Sequence, residues 1–514
     1  MKSFLKWSDK ALAAQCVVPR LSADKYYSDK NYKLNIHELI TLGVGGFCIF
    51  EGEVHNTMQM LQELQNMAET PLIFMADFEN GLRMRLRDGA AFPHAMAMGQ
   101  SGDTENTRKI AKAIAKEMKY LGVHVNLAPV CDINSNSLNP VINVRSFGED
   151  AETVSGHVIA YTEALQEEKI IACAKHFPGH GDTNIDSHID LPVINKDINE
   201  LEKQEIIPFW HAVDAGVKSI MPGHLALPKI DSENIPASLS GKIINDYLIQ
   251  KLKYTGLIIS DALDMKAVSK NYTSAEAAEM AVNAGVDILL LPEDPIKTIE
   301  SLNEKSKSEP VFRKKLENAA NKIIAAKRWC GLTGLLPQAN PYKQSTFFEH
   351  EKLALRVAHS AIKTTGNEML MPIPEDVQIA GFAYMQSEDL DKGTTFFQMV
   401  AQAVENDADF GFIDENITPE QIEALKEKIK GAEIVIFAFF LKRGIPAEKD
   451  NIFKNLNEAV QDLSGRRRII SIFFGNPYFD KYIKSDLTIK TYSDAISSIA
   501  ATVVKLSGRS LEQL

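Results

Sequence analysis

The stretch IIACAKHFPGHGDTNIDSH, residues 170–188, joins two sequence patterns that decide the fold and the candidate site. Its first seven residues, 170–176, are nearly continuous in apolar side chains, which is typical of a strand buried on both faces of a parallel sheet. The remainder concentrates histidines, aspartates and glycines, which favour a loop over a longer strand. The sequence therefore predicts a buried parallel strand that leads into a loop rich in polar residues.

Seven further apolar runs of this kind occur in about the first 300 residues, and amphipathic segments separate them. The segment 104–122 has apolar residues at helical spacing and ends at Gly122, while 274–285 begins at Ser274, a candidate N-cap, and ends at Gly285. Eight buried strands that alternate with helices predict a TIM (β/α)8 barrel. A doubly wound sheet is the main alternative, but polar residues follow nearly every run rather than one switch point. The other runs are 15–21, 45–50, 71–77, 124–130, 219–225, 257–263 and 287–292.

Glycine, proline and polar residues dominate the segment 331–350, which follows a helical pattern ending near Trp329. A second, shorter set of apolar runs comes after it and predicts a smaller α/β sandwich. We therefore predict a TIM-barrel catalytic domain at 1–335, a linker at 336–350 and a C-terminal α/β sandwich domain at 351–514. The runs of this second domain are 376–384, 409–414, 432–440 and 467–477, with a helical segment at 418–431.

The formal net charge of −12 argues against nucleic acid or an anionic membrane as the main partner. The five cysteines are odd in number and include no C-x-x-C pair, so we expect no disulfide framework and a reducing, cytoplasmic location. Charged residues interrupt the apolar residues near the N-terminus, which predicts no signal peptide. No run approaches the roughly 18 apolar residues of a transmembrane helix, and none is expected.

Three chemistries can explain the polar loop: metal binding, phosphate binding or proton transfer. His176 and His180 are four residues apart, but a proline and two glycines lie in or beside that interval and disfavour the helix that would bring both rings together. The chain has neither an H-E-x-x-H nor a G-x-x-x-x-G-K-[ST] motif. For His180 and Asp182, a purely structural role in the loop is at least as good an interpretation. Asp186, two residues before His188, can orient the imidazole and favour its cationic form.

Other candidates stand at the ends of predicted strands. Asp261 ends the run 257–263, where a barrel presents its catalytic groups, although an aspartate there is also a common helix N-cap. Asp77 ends another run, and Arg83 and Arg85 follow it after a glycine. Arg145 lies in a loop after the fourth run. Each of these signals is weak when taken alone.

Together these residues resemble glycoside hydrolase family 3, and within it the bacterial β-N-acetylglucosaminidases. The stretch KHFPGHGDTNIDSHIDLP, 175–192, is similar to that subgroup's signature at every fixed position. The segment DFENGLRMR, 77–85, resembles the family's D-x-E-G-G-R-x-x-R and departs from it at Asn80 and Leu82, between the binding positions. Two further family-like segments follow in family order, RSFGED at 145–150 and SDALDM at 260–265.

The resemblance implies a retaining β-N-acetylglucosaminidase in which Asp261 matches the nucleophile. His188 matches the general acid/base, oriented by Asp186. This agrees with the residues themselves, because retention needs a carboxylate on one face of the anomeric carbon and a proton donor on the other. Gly179 and Gly181 are candidate hinges for a mobile acid/base loop. The residues that match the groups holding the non-reducing GlcNAc are Asp77, Arg85, Arg145, Lys175 and His176.

Three other functions remain open from the sequence. A family 3 phosphorylase would replace water by phosphate, and a metal-dependent hydrolase would use His176, His180 and His188. A non-catalytic sugar-binding protein would need no pair such as Asp261 and His188. We expect a GlcNAc-containing oligosaccharide as the substrate partner, with muropeptide fragments of peptidoglycan recycling preferred over chitin fragments. We expect no cofactor and no bound metal, and the oligomeric state stays open.

Overall fold

The structure is a computed structural model of the 514-residue chain. Contacts divide the chain into two compact units, the first comprising 1–90, 107–136 and 148–348, and the second comprising 91–106, 137–147 and 349–514. The residues that the structure describes are 7–187, 189–232, 234–332, 346–374, 377–385, 390–404, 409–413, 418–441, 456–458, 460–462 and 467–511.

Short, buried strands form the centre of the first unit. They coincide with the eight predicted apolar runs, and nearly all of their residues are buried. The strands are β1 (Val17–Val18), β2 (Arg20–Leu21), β3 (Gly46–Ile49), β4 (Ile73–Ala76), β5 (Val125–Asn126), β6 (Ile171–Phe177), β7 (Ser219–Pro222), β8 (Leu257–Ile258) and β9 (Leu289–Leu290).

These strands close into a parallel barrel. Strands β2 to β8 pair side by side in chain order, and every pairing is parallel. Strand β1 pairs with β9, and a parallel bridge joins Ile259 to Ile288 just beyond β8 and before β9. Pro19, which has no N–H to donate, separates β1 from β2, so the two form one interrupted barrel strand. The ring is therefore an eight-stranded (β/α)8 barrel, as the sequence predicts.

Helices follow the barrel strands and their ends carry the expected caps. The predicted helix 104–122 is observed at Thr104–Leu121, and Gly122 has a φ of 90° after it. The helix Ser274–Ala284 ends at Gly285, but its N-cap is Thr273 and not Ser274. Thr273 forms a capping box with Glu276, a reciprocal pair that the neighbouring serine does not make. The other main helices of this unit are Asp9–Gln15, Ala23–Ser28, Lys30–Leu42, Val54–Met67, Ala151–Glu167, Ile207–Asp214, Lys242–Lys251, Pro295–Ser308 and Pro310–Trp329.

The second unit is a layered α/β sandwich. Its strands are β10 (Lys363–Gly366), β11 (Ile379–Met385), β12 (Asp409–Ile413), β13 (Ile434–Leu441), β14 (Arg468–Gly475) and β15 (Leu487–Lys490). Among the described residues they form one sheet in the order β10-β15-β14-β13-β11-β12, in which only β10 runs antiparallel. Strand β11 sends Ile379, Ala383 and Met385 into one hydrophobic cluster and alternate residues into another, so both faces are covered. The predicted sandwich is confirmed, although β10 and β15 are not predicted.

The boundaries of the two units differ from a division at one linker. The predicted linker 336–350 lies in part outside the described residues, and the helix Thr346–Ala361 includes its last five positions. Two early segments also belong to the second unit. There the backbone N–H of His94 donates to Ser493 Oγ at 3.1 Å, and a Cβ on Gly99 would lie 1.7 Å from the carbonyl oxygen of Phe147.

Candidate active site

Polar side chains follow or end several strands of the first unit at the same end of the barrel. Asp77 follows β4, His176 lies near the end of β6, His224 follows β7 and Asp261 follows β8. Because the barrel strands are parallel, their carboxyl ends open on one face, where barrels of this kind hold their active sites.

A buried lysine lies between two carboxylates at this face. Lys175 is 2% exposed, and its Nζ lies 2.8 Å from Asp77 Oδ1 and 2.6 Å from Glu79 Oε1. Arg85 Nη2 reaches the other oxygen of Asp77 at 2.6 Å, whereas Arg83 is exposed. Burial opposes ionisation of Asp77, but Lys175 and Arg85 outweigh it and hold the pKa of this carboxyl below its usual value.

Two consecutive residues of β6 both contribute to the site. Successive residues of a regular strand point to opposite faces. Here the pairing with β7 shifts register between Lys175 and Phe177, and the Lys175–His176 peptide bond is cis. Lys175 binds Asp77, while the ring of His176 binds a different carboxylate, that of Asp132. Irregular registers of this kind re-aim side chains next to active sites.

Asp132, which follows β5 in the loop after Val130, is a carboxylate that the sequence reasoning missed. Its oxygens accept the backbone N–H of His176 at 3.2 Å, the Nδ1–H of the same residue at 2.7 Å and the backbone N–H of His180 at 2.7 Å. A carboxylate that only accepts fixes the proton of His176 on Nδ1. Burial opposes ionisation of Asp132, but His176 outweighs it and lowers the pKa of this carboxyl.

The buried ring of His180 forms hydrogen bonds with two hydroxyl groups of the polar loop. Its Nε2 lies 3.3 Å from Ser187 Oγ and its Nδ1 lies 3.0 Å from Thr183 Oγ1, and all three side chains are buried. Burial, with a further contribution from His176, lowers the pKa of His180 to about 4, so the ring is neutral at pH 7. The loop therefore has an internal frame of hydrogen bonds between a neutral imidazole and two hydroxyls.

The predicted Asp186–His188 pair is described only in part. His188 lies outside the described residues. The carbonyl oxygen of Asp186 accepts the backbone N–H groups of Ile189 at 2.9 Å and Asp190 at 3.0 Å. Gly181, a predicted hinge, packs closely in this structure, because a Cβ there would lie 1.6 Å from the backbone oxygen of Ile133.

Asp261 is a partly buried carboxylate that lies just beyond the end of β8. Its Oδ1 accepts the N–H of Ala262 at 2.8 Å, and the next described helix begins only at Lys266, which excludes the N-cap role. Burial opposes ionisation, but His224, His176 and Lys175 outweigh it and lower the pKa of Asp261. The carboxylate is therefore charged at neutral pH.

His224 supports the backbone next to Asp261. Its Nε2 donates to the carbonyl oxygen of Ala262 at 2.8 Å, and its Nδ1 lies 2.6 Å from Ser238 Oγ. The residue is fully buried. From the sequence, His224 is only one of the polar residues near the ends of the apolar runs, and Glu79, inside the family-like segment at 77–85, is not among the predicted site residues.

Five of the eight predicted site residues come together in the first unit. Asp77, Arg85, Lys175 and His176 are linked to one another or to a shared carboxylate, and Asp261 interacts electrostatically with Lys175 and His176. Arg145 falls in the second unit, where its Nη1 donates to the carbonyl of Val141 at 3.2 Å. Within the described residues, no group of three or more histidine, cysteine or acidic side chains is arranged to hold a metal.

Known proteins with similar sequences identify the family of the first unit. Residues 20–326 match the family described as "Glycosyl hydrolase family 3 N terminal domain". The chain is 31% identical over 384 residues to "Beta-hexosaminidase A" of Pseudoalteromonas piscicida, an alignment that covers 67% of this chain and 63% of that protein. It is 29% identical over 300 residues to "Beta-N-acetylglucosaminidase/beta-glucosidase" of Cellulomonas fimi, covering 57% of this chain and 53% of that one.

A solved structure is similar along nearly the whole chain. A glycoside hydrolase family 3 β-N-acetylglucosaminidase from Paenibacillus sp. str. FPU-7 superposes with a TM-score of 0.86 at 26% identity, covering 97% of this chain and 96% of the other. The two-unit architecture is therefore shared with that enzyme, whereas the chain spans less than two thirds of the two curated relatives above.

Proposed function

The chain belongs to glycosyl hydrolase family 3, and from that membership we propose that it is a retaining β-N-acetylglucosaminidase that removes a non-reducing terminal GlcNAc. The observation that carries the proposal is the ionised, backbone-anchored Asp261 beside the buried Lys175 and His176. The names of the relatives support the substrate class, since they include β-hexosaminidase and β-N-acetylglucosaminidase.

In the first step, an Asp261 oxygen attacks the anomeric carbon, and the bond from that carbon to the leaving oxygen breaks. His188, oriented by Asp186, donates its proton to the leaving oxygen, so the aglycone departs as a neutral alcohol. The product is a glycosyl ester on Asp261. A low pKa suits this residue, because only the ionised carboxylate is a nucleophile.

In the second step, neutral His188 takes a proton from water as the water oxygen attacks the anomeric carbon. The ester bond breaks and Asp261 leaves as a carboxylate. Two inversions at one carbon give net retention. The imidazole ends the cycle protonated and ready for the next substrate.

Sugar hydroxyls can donate and accept, so a pocket needs both kinds of partner. Asp77 supplies acceptor oxygens, while Lys175 and Arg85 supply donors that Asp77 holds in place. His176 presents an imidazole whose orientation Asp132 fixes. We assign these four residues to binding of the non-reducing GlcNAc. The same assignment for Arg145 rests on the family resemblance of its segment alone.

For the physiological substrate, we propose muropeptide fragments with GlcNAc linked to anhydro-MurNAc, cleaved in the cytoplasm during peptidoglycan recycling. The cysteines support a reducing compartment, because all five thiols are free and four of them are buried. Among the described residues, no helix is both long and apolar enough to cross a membrane.

Product analysis tests the proposed function. GlcNAc–anhydro-MurNAc and chitobiose are incubated with the enzyme, with and without phosphate, and again after exhaustive chelation. We expect free GlcNAc in every case, formed first as the β-anomer. Formation of GlcNAc-1-phosphate in phosphate buffer would identify a phosphorylase. Loss of activity after chelation would identify a metal-dependent hydrolase.

A further inference from the structure

We propose that His180 is a positioning residue that ties the loop bearing His188 to Asp132, the carboxylate that orients the sugar-binding His176. The inference rests on the proposed function, because it concerns the step in which His188 transfers a proton. His180 thereby gains a specific role, whereas the sequence alone supports a purely structural role for it at least as well as a functional one.

The first link is the carboxylate that two histidines share. Asp132 is fully buried and accepts N–H groups from both His176 and His180. One oxygen, Oδ2, takes the ring of His176 at 2.7 Å, while Oδ1 takes the backbone N–H of His180 at 2.7 Å. The end of β6 and the start of the polar loop are thus fixed to the same group.

The second link runs through the His180 ring to the residue next to the acid/base. Nε2 lies 3.3 Å from the hydroxyl of Ser187, which is 2% exposed and immediately precedes His188 in the chain. Nδ1 lies 3.0 Å from Thr183 Oγ1, earlier in the loop. A neutral imidazole donates from one ring nitrogen and accepts at the other, so it can bridge two hydroxyls without a buried charge.

The surroundings hold this bridge in one place. Gly181 packs directly against the backbone of Ile133, the residue after Asp132. Farther along, Lys196 pairs with Asp182 at 2.7 Å and with Glu205 at 2.6 Å. The part of the loop facing away from this frame is open, with Ile185 and Ile189 exposed. His180 is therefore the residue of this frame whose ring contacts Ser187, next to the predicted acid/base.

Proton transfer depends steeply on the donor–acceptor distance, and a displacement of about 1 Å can cost about 100-fold in rate. A positioning residue should therefore affect the steps that need His188 and leave sugar binding unchanged. Loss of the His180–Ser187 bond should lower kcat on a poor leaving group. It should not raise KM or weaken inhibition by free GlcNAc.

The test uses variants matched to the two ring nitrogens. In His180→Asn the side-chain amide reaches only the position of Nδ1, so the Thr183 contact can persist and the Ser187 contact is lost. In His180→Gln the amide reaches the position of Nε2 and can restore the Ser187 contact. Ser187→Ala removes the same bond from the other side. His124→Asn is the control, because His124 is a histidine with a similarly lowered pKa that precedes β5 at the opposite end of the barrel.

We expect His180→Asn and Ser187→Ala each to lower kcat on chitobiose by about 10- to 100-fold, with no further loss in the double variant. His180→Gln should retain activity within about threefold of the wild type, as should His124→Asn. The pre-steady-state burst on dinitrophenyl GlcNAc, which needs little acid assistance, should keep its rate in every variant, and its amplitude counts folded, active enzyme.

Other outcomes overturn the inference. If His180→Asn and Ser187→Ala cleave chitobiose at the wild-type rate per active site, as counted by the burst amplitude, His180 does not act through Ser187. The same conclusion follows if the double variant loses the product of the two single fold-losses in kcat. If burst rate and GlcNAc inhibition fall together with kcat, the residue supports the sugar pocket instead. A wild-type enzyme that releases no GlcNAc from either substrate contradicts the proposed function itself, which separates that failure from failure of the positioning role.

Discussion

The Lys175 ammonium donates a hydrogen bond to Asp77 Oδ1 at 2.8 Å and also lies 2.6 Å from Glu79 Oε1, and only 2% of the lysine side chain is exposed. Removing the amine would leave two carboxylates together in a buried site. We expect Lys175→Met to abolish activity and to lower the free energy of unfolding by about 3–5 kcal/mol, the usual consequence of leaving a buried charge without its partner. Urea unfolding at pH 7 measures the second effect.

The control for this variant is Arg87→Met. Arg87 also pairs with two carboxylates, Asp24 and Glu53, but it lies at the surface with 59% of its side chain exposed. Surface ion pairs contribute little to stability. The urea midpoint of Arg87→Met should stay close to that of the wild type, and equal losses in the two variants would show that burial is not what makes Lys175 important.

Replacing Asp261 should remove turnover without removing the fold. The carboxylate accepts a hydrogen bond from the adjacent Ala262 N–H, a local contact whose loss disturbs little packing. We expect Asp261→Ala to lower kcat by at least about 1,000-fold with an unchanged circular dichroism spectrum. Asp264→Ala, three residues later at an exposed pair with Arg20, serves as the control. Activity of Asp261→Ala within about tenfold of the wild type would exclude the nucleophile role.

His188→Ala should separate substrates by their leaving groups. Disaccharides need a proton on the leaving oxygen, whereas dinitrophenyl GlcNAc does not, so glycosylation should fall far more for chitobiose. Deglycosylation needs a base and should slow for both, giving an early burst of dinitrophenol. Azide, a nucleophile that needs no base, should restore turnover and form β-glycosyl azide. Equal losses on both substrates without azide rescue would make His188 a binding residue.

Gly181→Ala tests the close packing of the polar loop. A Cβ at this position would lie 1.6 Å from the backbone oxygen of Ile133, which has no flexible end that can move aside. The loop must shift, and we expect kcat on chitobiose to fall by about 100-fold. Gly241→Ala is the matched control, since a Cβ there meets nothing within 4 Å. A fully active Gly181→Ala enzyme would show that the loop tolerates displacement.

His124 should make stability depend on pH in the acidic range. Its Nδ1 accepts the N–H of Phe74 at 3.1 Å, and burial, aided by Lys327, lowers its pKa to about 4. Between pH 6.5 and 4 the unfolded chain therefore binds a proton that the folded chain does not, so the free energy of unfolding falls as the pH falls. In His124→Asn the amide oxygen can accept the same N–H without titrating. Urea unfolding at pH 7 and pH 5 should show a smaller difference for this variant than for the wild type.

The barrel was predictable because each of its strands has a simple pattern in the amino-acid sequence. Each is a short apolar run with a polar residue near its end, as in LIISDAL, where Asp261 lies three residues beyond the end of β8. The strands β10 and β15 lack such an apolar run, because Lys363–Gly366 is mostly exposed and Leu487–Lys490 alternates buried and half-buried positions. Assignment of the segment 91–106 to the second unit depends on His94 meeting Ser493, a contact about 400 residues away that no local pattern indicates.

The site shows the same limit. Asp77, Lys175, His176 and Asp261 could be named because each lies at a strand end or in a family-like motif. Asp132 lies two residues beyond its predicted run, inside the sequence VCDINSN, where an aspartate is an ordinary loop residue. Its importance comes from three N–H groups contributed by β6 and the loop that follows, and such a convergence exists only after folding.

The contacts of Asp132 also determine the smallest part of this site that can be grafted onto another barrel. An engineer who grafts residues 175–192 onto another barrel to import a histidine acid/base would bring His176 and His180 without the acceptor that both require. Two buried N–H donors and a charged or mis-tautomerised imidazole would then have no partner. The grafted segments must therefore include the loop after β5 as well. The transferable part of this enzyme is two segments, at the ends of the adjacent strands β5 and β6, and not one contiguous motif.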